Sequence, residues 1–177
     1  GIRDVERSRG LGDVYKRQAK YGGLKFAEAA HIKDLLAHLR VFLNPHDHLS
    51  WNRILKLLPG IGQATANKVT NWLDSDIPSL DRFSEYVKTQ KGTMKILNEL
   101  VNLFDKLSDP SLEVKDLVEE VRKYYEPIMT NKFDDYPKRL RDLEYLQEWC
   151  APFQSLEQFL TDMALEPPEV SLSLIHI

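Results

Sequence analysis

The chain contains one cysteine, Cys150, so it can form neither an internal disulfide nor a cysteine metal cage. Its sequence also has no apolar run long enough to cross a membrane as a helix, and this argues against a membrane-spanning protein. The 24 basic residues are outnumbered by 27 acidic ones, so bulk charge will not hold nucleic acid. Any contact with nucleic acid must come from a local site. These absences predict a soluble protein of a reducing, cytoplasmic compartment, without a metal of its own.

The two ends of the chain correspond to related nucleotide sequences. Back-translation of residues 13–18 gives a transposon end used in sequencing libraries, and residues 172–177 give its reverse complement. We therefore expect residues 1–18 and the last six residues to be translated adapter, and we exclude them from fold reasoning. The native stretch is then 19–171, with 19 basic and 24 acidic residues and a net charge of −5. We expect both true termini of the protein to lie outside it.

Apolar residues recur at helical spacing through almost the whole native stretch. Asp47, Asp109 and Ser155 are expected to start helices, as N-caps or just before a first-turn proline. Only residues 20–26 are expected to be extended. The fold class is therefore predicted to be all-α, a bundle-like subdomain of seven or eight helices with a short extended lead-in. The predicted helices are 28–44, 48–58, 64–73, 79–89, 93–107, 112–131, 136–149 and 156–165.

The string LPGIGQATANKV, which starts at residue 58, matches a helix-hairpin-helix pattern. Its glycines are expected to adopt backbone dihedrals closed to residues with a β-carbon, while the isoleucine between them points inward and fixes the hairpin. The backbone N–H groups at the start of the second helix then form a site for a DNA phosphate. Such a site positions the backbone without reading sequence. The predicted DNA-backbone residues are Gly60, Ile61, Gly62, Thr65 and Lys68.

Six segments of the native stretch form a recognisable pattern: YGGLKF (21–26), IKDLLAHLR (32–40), NP (44–45), GIG (60–62), residues 136–146 and FLTDMAL (159–165). Together they resemble the UvrD/Rep/PcrA DNA helicases of superfamily 1. The resemblance covers nearly the whole native stretch and is specific up to Gly62. It implies a helical 2B subdomain over residues 27–168, with residues 19–26 leading in from a RecA-like domain and residues 169–177 forming an exit segment and adapter-derived tail.

The resemblance also implies a function. In that family the hairpin grips duplex DNA ahead of the fork, and 2B swings between orientations that regulate unwinding in a 3′-to-5′ translocase. The sequence lacks a GxxxxGK[ST] phosphate loop and the acidic Mg²⁺/ATP motif. The fragment is therefore expected to bind no cofactor, while the cytoplasmic, nucleoid-associated parent uses ATP and Mg²⁺ in its RecA-like motor domains. Ala29 and His31 depart from the family pattern, which often has Arg and Glu there.

Two alternatives stay open at this point. A helix-hairpin-helix DNA glycosylase has a similar string and a catalytic aspartate somewhat over twenty residues on, where this chain has Asp81. Against it, Ala64 stands where the lyase members have their catalytic lysine, and too little helical chain precedes the hairpin to build a base-flipping pocket. The second alternative is a free-standing DNA-binding or protein-docking module, for which aromatic residues on the helices would form the partner surface.

Overall fold

The computed structural model describes residues 24–74, 79–91 and 95–165. Within these ranges it contains nine helices and no strand, which confirms the all-α prediction. None of the helices described is long and apolar enough to cross a membrane. The helices are α1 (Leu24–Glu28), α2 (Ala30–Leu43), α3 (His48–Lys56), α4 (Gln63–Leu73), α5 (Leu80–Thr89), α6 (Lys95–Leu107), α7 (Val114–Lys132), α8 (Tyr136–Cys150) and α9 (Leu156–Leu165).

The chain divides into two compact units, Gly1–Ala29 with Thr161–Ile177 and the larger Ala30–Leu160. The smaller unit contains α1. In the larger unit each helix from α2 to α7 packs on the next one, and both α7 and α8 return to pack on α2. This arrangement makes α2 the central helix of the larger unit. Its apolar residues Ile32, Leu35 and Leu39 are fully buried.

An aromatic cluster fills the core between α3, α5 and α6. Trp51 is fully buried, and its ring centroid lies 4.9 Å from that of Phe83 and 5.7 Å from that of Phe104. Its indole N–H donates to the carbonyl of Pro45 at 2.9 Å, so the ring brings no unpaired polar group into the core. Tyr125 on α7 is buried as well. These aromatic residues are therefore core residues, although Trp72 keeps 37% of its surface exposed.

The carboxylate of Asp34 connects three helices. Asp34 lies on α2 and is 1% exposed. Its Oδ1 accepts from Nε of Arg53 on α3 at 2.7 Å. On α7, the hydroxyl of Tyr125 donates to Oδ2, and Nζ of Lys132 lies 3.6 Å from the same oxygen. Arg53 also donates to the carbonyl of Ala30 at 3.2 Å. Because a buried carboxylate is tolerated only when it is paired and hydrogen-bonded, these contacts fix α3 and α7 against α2.

A second buried polar contact connects α2 to α8. Nε2 of His31 lies 2.8 Å from a carboxylate oxygen of Asp142, and Nη1 of Arg139 lies 2.8 Å from Nδ1 of the same ring. A guanidinium can only donate, so Nδ1 accepts from Arg139 and the N–H at Nε2 donates to Asp142. The guanidinium of Arg139 also lies 3.8 Å from the ring centre of Phe133. His31, a departure from the family pattern, is thus part of the helix packing.

Three helix starts test the sequence predictions. Asp47 caps α3 as predicted, since its side chain accepts from the N–H of Ser50 at 3.0 Å. The predicted start at Asp109 is wrong, because Asp109 instead accepts from the N–H of Ser111 at 2.9 Å and closes a turn. The helix begins at Val114, where Asp116 accepts from the N–H of Glu113 at 2.9 Å. The start predicted at residue 93 lies outside the described residues.

The extended lead-in predicted for residues 20–26 is wrong for the part that the structure describes. Residues Leu24–Glu28 form the short helix α1, while residues 20–23 lie outside the described ranges. The sequence of this helix, LKFAE, contains no β-branched residue, glycine or proline, so local propensity favours a helix over a strand. At the other end, Ser155 accepts from the N–H of Gln158 at 3.1 Å, which confirms it as the start of α9.

Replacement of Asp34 by asparagine tests the importance of the buried carboxylate. We expect Asp34→Asn to lower the free energy of unfolding by about 3 kcal/mol, because it leaves the Arg53 guanidinium without its buried counter-charge. Urea denaturation measures this, with the exposed Asp105→Asn as the matched control, for which we expect a change within about 0.5 kcal/mol. Equal stability of the two variants would show that the Asp34 contacts contribute little.

His38 on α2 should make stability depend on pH. Burial lowers the pKa of its imidazole from 6.5 to about 4, against the opposing effects of the Asp34 backbone hydrogen bond and charge. The unfolded chain therefore binds a proton between these values while the folded one does not, and stability falls as pH drops from 6.5 towards 4. The expected slope is at most about 1.4 kcal/mol per pH unit. Urea denaturation of His38→Gln across this pH range should give a shallower slope of unfolding free energy against pH. The variant His46→Gln, at an exposed position, should have the same slope as the unchanged chain.

Candidate functional site

A tight turn of residues 57–62, the α3–α4 turn, joins the two helices that pack on each other. The N–H of Leu58 donates to the carbonyl of Leu55 at 3.1 Å, and the N–H of Ile61 donates to the carbonyl of Leu58 at 3.2 Å. Leu58 and Ile61 are 5% and 8% exposed. Ile61 therefore faces the interior, as the sequence predicts, and it holds the turn from within. With its side chain buried and its N–H bonded, it offers little to an external ligand.

The two glycines of the turn differ in conformation. Gly60 has a φ of +80°, in the left-handed region that side chains with a β-carbon rarely adopt. Gly62, the N-cap of α4, has φ −102° and ψ −171°, which is extended backbone open to any residue. A β-carbon on Gly62 would have no atom within 4 Å. The prediction that both glycines need special dihedrals is thus right for Gly60 and wrong for Gly62, whose missing side chain leaves open space at the helix start.

The start of α4 presents backbone donors to that open space. The first hydrogen bond of the helix runs from the N–H of Ala66 to the carbonyl of Gly62, at 3.0 Å. The N–H groups of Gln63, Ala64 and Thr65 precede it and so have no partner within the helix. No carbonyl or side chain in the described part of the chain accepts from them. Together with the helix dipole they make this end of α4 electropositive.

The charged side chains around the α3–α4 turn are all basic. The stretch from Leu49 to Leu73 contains three basic side chains and no acidic one, in a chain with more acidic than basic residues. Lys68 is exposed one turn after Thr65, which is half-buried. Lys68 was among the site residues predicted from sequence, whereas the other two cations, Arg53 and Lys56, were not. The run of 25 residues without a carboxylate was the signal that would have found them.

The first residue of α4 is held in a network of polar side chains. Nζ of Lys56 donates to Oε1 of Gln63 at 2.8 Å. The amide of Gln63 donates in turn to Asn67 at 2.7 Å and to Asn52 at 3.2 Å. This network joins the end of α3 to the first two turns of α4. It therefore fixes the position of Lys56 beside the helix start.

Other candidate residues do not converge on a site. Asp81, the catalytic candidate of the glycosylase alternative, is exposed in the first turn of α5. In the segment His46-Asp47-His48, Asp47 caps α3, while Nε2 of His48 lies 3.0 Å from a carboxylate oxygen of Asp74. Among the residues that the structure describes, no three His, Cys, Asp or Glu side chains could hold a metal ion together. The sulfur of Cys150 is buried, and burial raises its pKa to about 12, so it is no nucleophile.

Comparison with protein families identifies the class. The family described as UvrD-like helicase C-terminal domain matches residues 17–175, which is most of the chain. The chain therefore belongs to this family, in agreement with the resemblance seen in its segments. The helical fold and the turn described above are thus those of part of a UvrD-type helicase.

Curated relatives give the similarity in detail. The chain is 29% identical over 164 residues to the ATP-dependent DNA helicase PcrA of Staphylococcus aureus, covering 81% of this chain and 22% of that protein. It is 28% identical over 164 residues to the ATP-dependent DNA helicase PcrA of Staphylococcus epidermidis, with the same coverage. The chain thus spans only 22% of the length of the curated relatives it matches. No solved structure matches it.

The two glycines of the turn should respond differently to alanine. We expect Gly60→Ala to lower the free energy of unfolding by about 1–2 kcal/mol, because it forces a β-carbon into the left-handed region. Gly62→Ala should leave stability unchanged or raise it by less than about 1 kcal/mol, because its conformation and surroundings admit the methyl group. Thermal or urea unfolding of both variants measures the difference. Equal losses at the two positions would contradict the assigned backbone conformations.

Proposed function

We propose that this chain is the 2B subdomain of an ATP-dependent 3′-to-5′ DNA helicase, and that its α3–α4 turn is a helix-hairpin-helix that holds duplex or junction DNA. Membership of the helicase family and the names of the relatives support the first part. The second part rests mainly on one observation: unpartnered amides at the start of α4 face open space at Gly62. We further propose that this grip regulates unwinding as 2B changes orientation on the motor.

The chemistry of the turn suits a phosphate. Oxygen atoms of a backbone phosphate could accept from the N–H groups of Gln63, Ala64 and Thr65, in the favourable field of the helix dipole. Thr65 could add its hydroxyl, and Lys68 a charge one turn on. Gly62 has no internal need to be glycine, so its lack of a side chain is best explained by the close approach of a ligand. Gly60 allows the turn to form, and Ile61 holds it from inside.

The charge distribution predicts the character of the binding. The carboxylate-free stretch is a local exception in an acidic chain, so DNA would be confined to this face. Contacts with backbone amides and lysines carry no sequence information. Only a few phosphates would be neutralised, so affinity should be weak and should fall with salt. A subdomain that adjusts the path of a duplex needs such binding, because tight or sequence-specific contacts would stall translocation.

ATP and Mg²⁺ belong to other parts of the longer protein in this proposal. The sequence contains no GxxxxGK[ST] string, and the described residues bring no acidic cluster together that could hold a metal ion. These residues therefore do not fit a nucleotide site. We expect the RecA-like motor domains of the same protein to bind and hydrolyse ATP, and to be the partners on which this subdomain turns.

Binding to a fluorescently labelled duplex with a single-stranded tail tests the turn. We expect Gly62→Val to weaken binding at least tenfold without loss of helical content, because its side chain fills the space that the phosphate would occupy. Lys68→Ala should reduce the slope of log affinity against log salt by about one. Fluorescence anisotropy measures both effects, and circular dichroism checks the fold.

The matched control is Lys115→Ala, which removes an equally exposed lysine from the first turn of α7. It should bind DNA as the unchanged chain does. If Gly62→Val also binds as tightly as the unchanged chain, the α3–α4 turn is not the DNA site. Base release from damaged DNA, lost in Asp81→Asn, would instead favour the glycosylase alternative.

A further inference from the structure

A groove of about 560 Å³ lies between α3 and α7, beside the α3–α4 turn. Its walls bring together side chains that are far apart in sequence, since Lys132 stands at the end of α7 and the others come from α2, α3 and the start of α4. Six of its eight lining residues are polar or charged, and the other two are leucines. Its polar lining consists of Asp34, Asn52, Arg53, Lys56, Gln63 and Lys132.

The groove carries an excess of positive charge. Three of its side chains are cationic and only Asp34 is acidic. That carboxylate is 1% exposed and already binds Arg53 at 2.7 Å and Tyr125, so it lies at the bottom of the groove and neutralises Arg53 first. The ammonium of Lys132 is 3.6 Å from it, in a side chain that is 44% exposed. One buried carboxylate cannot balance all three cations, and the rim of the groove remains positive.

Lys56 supplies the second cation of the rim. Its side chain is exposed, and its Nζ donates to the neutral amide oxygen of Gln63 at 2.8 Å. An amide acceptor leaves the ammonium charge uncompensated. Because Gln63 is the first residue of α4, Lys56 stands next to the unpartnered amides of the α3–α4 turn. The groove and the start of α4 therefore form one continuous electropositive surface.

A neighbouring groove is less suited to an anion than the groove between α3 and α7. Lys56 and Lys132 also border a second groove of about 640 Å³. Apart from these lysines, its lining is largely apolar, and its only acidic side chain, Glu99, is exposed and has no basic partner in the described part of the chain. An anion there would lie against apolar surface and near an uncompensated carboxylate. The groove with Arg53 and the amide of Asn52 offers hydrogen-bond donors instead.

We propose that the groove between α3 and α7 is a second phosphate site, in which Lys56 and Lys132 hold a backbone phosphate of the nucleic acid that the α3–α4 turn grips. The inference rests on the proposed function, because it extends the same DNA path from α4 onto α7. Two separated phosphate contacts fix the direction of a duplex on the subdomain, whereas one contact leaves it free to pivot. The end of α7 thereby becomes part of the DNA interface.

Glutamine variants of the two lysines test the groove in the full chain. Lys56→Gln and Lys132→Gln keep the side chains polar and similar in size and remove their charge. We expect each to weaken binding of the tailed duplex about fivefold at 50 mM salt, and the double variant to lower the salt slope by about two. Lys115→Gln serves as the matched control and should change neither quantity. Thermal unfolding of every variant checks that the fold survives.

The outcomes separate this inference from the proposed function. If the double variant binds as the Lys115→Gln control does, while Gly62→Val loses binding, the groove inference fails and the turn remains the DNA site. If neither weakens binding, both proposals fail. In a third experiment, inorganic phosphate is titrated into the chain at constant ionic strength, and the chemical shifts of the backbone amides are followed by NMR. Shifts at Lys56 and Lys132 that saturate with phosphate, combined with unchanged DNA binding in the double variant, would make the groove a small-anion site and overturn the proposal.

Discussion

The arrangement of the larger unit depends on the buried carboxylate of Asp34. A charge placed in the interior must be satisfied by partners, and here the partners come from α3 and α7, with Arg53 and Tyr125 donating to its two oxygens. This requirement fixes where α3 can lie on α2. Since α3 leads directly into the α3–α4 turn, the same contact sets the position of the turn. The carboxylate thus links the core to the surface that we propose to bind DNA.

The two glycines and the isoleucine of the α3–α4 turn are there for different physical reasons. Gly60 is required by the backbone, because its φ of +80° is closed to other residues, and Ile61 is required by the core. Neither requirement applies to Gly62, whose extended conformation and empty surroundings would accept a side chain. The two glycines look equivalent in the motif, but they serve different purposes. Gly60 allows the backbone to form the turn, and Gly62 leaves space beside the start of α4.

The presence of helices α2 to α9 was predictable from sequence, and so was the inward position of Ile61, because both depend on local periodicity and propensity. The wrong predictions arose where competing local options were close in energy. Asp109 could cap a helix or close a turn, and a hydrogen bond to Ser111 decided for the turn. The buried contacts of Asp34 with Tyr125 and of His31 with Asp142 were not predictable, since these partners lie 91 and 111 residues apart in sequence. Lys132 was missed for the same reason: only the fold brings α7 beside the turn.

In the function that we propose, this acidic chain binds DNA at one face, and its own charge distribution orients the DNA. The carboxylates elsewhere on the chain repel a polyanion, while the stretch from Leu49 to Leu73 and the end of α7 attract it. In this proposal different residues set the strength and the direction of binding: the amides of α4 and Lys68 at one point, and Lys56 with Lys132 at another. The proposed turning of the chain on its motor needs this separation, because a rotation can redirect a duplex only if the duplex is held at more than one point.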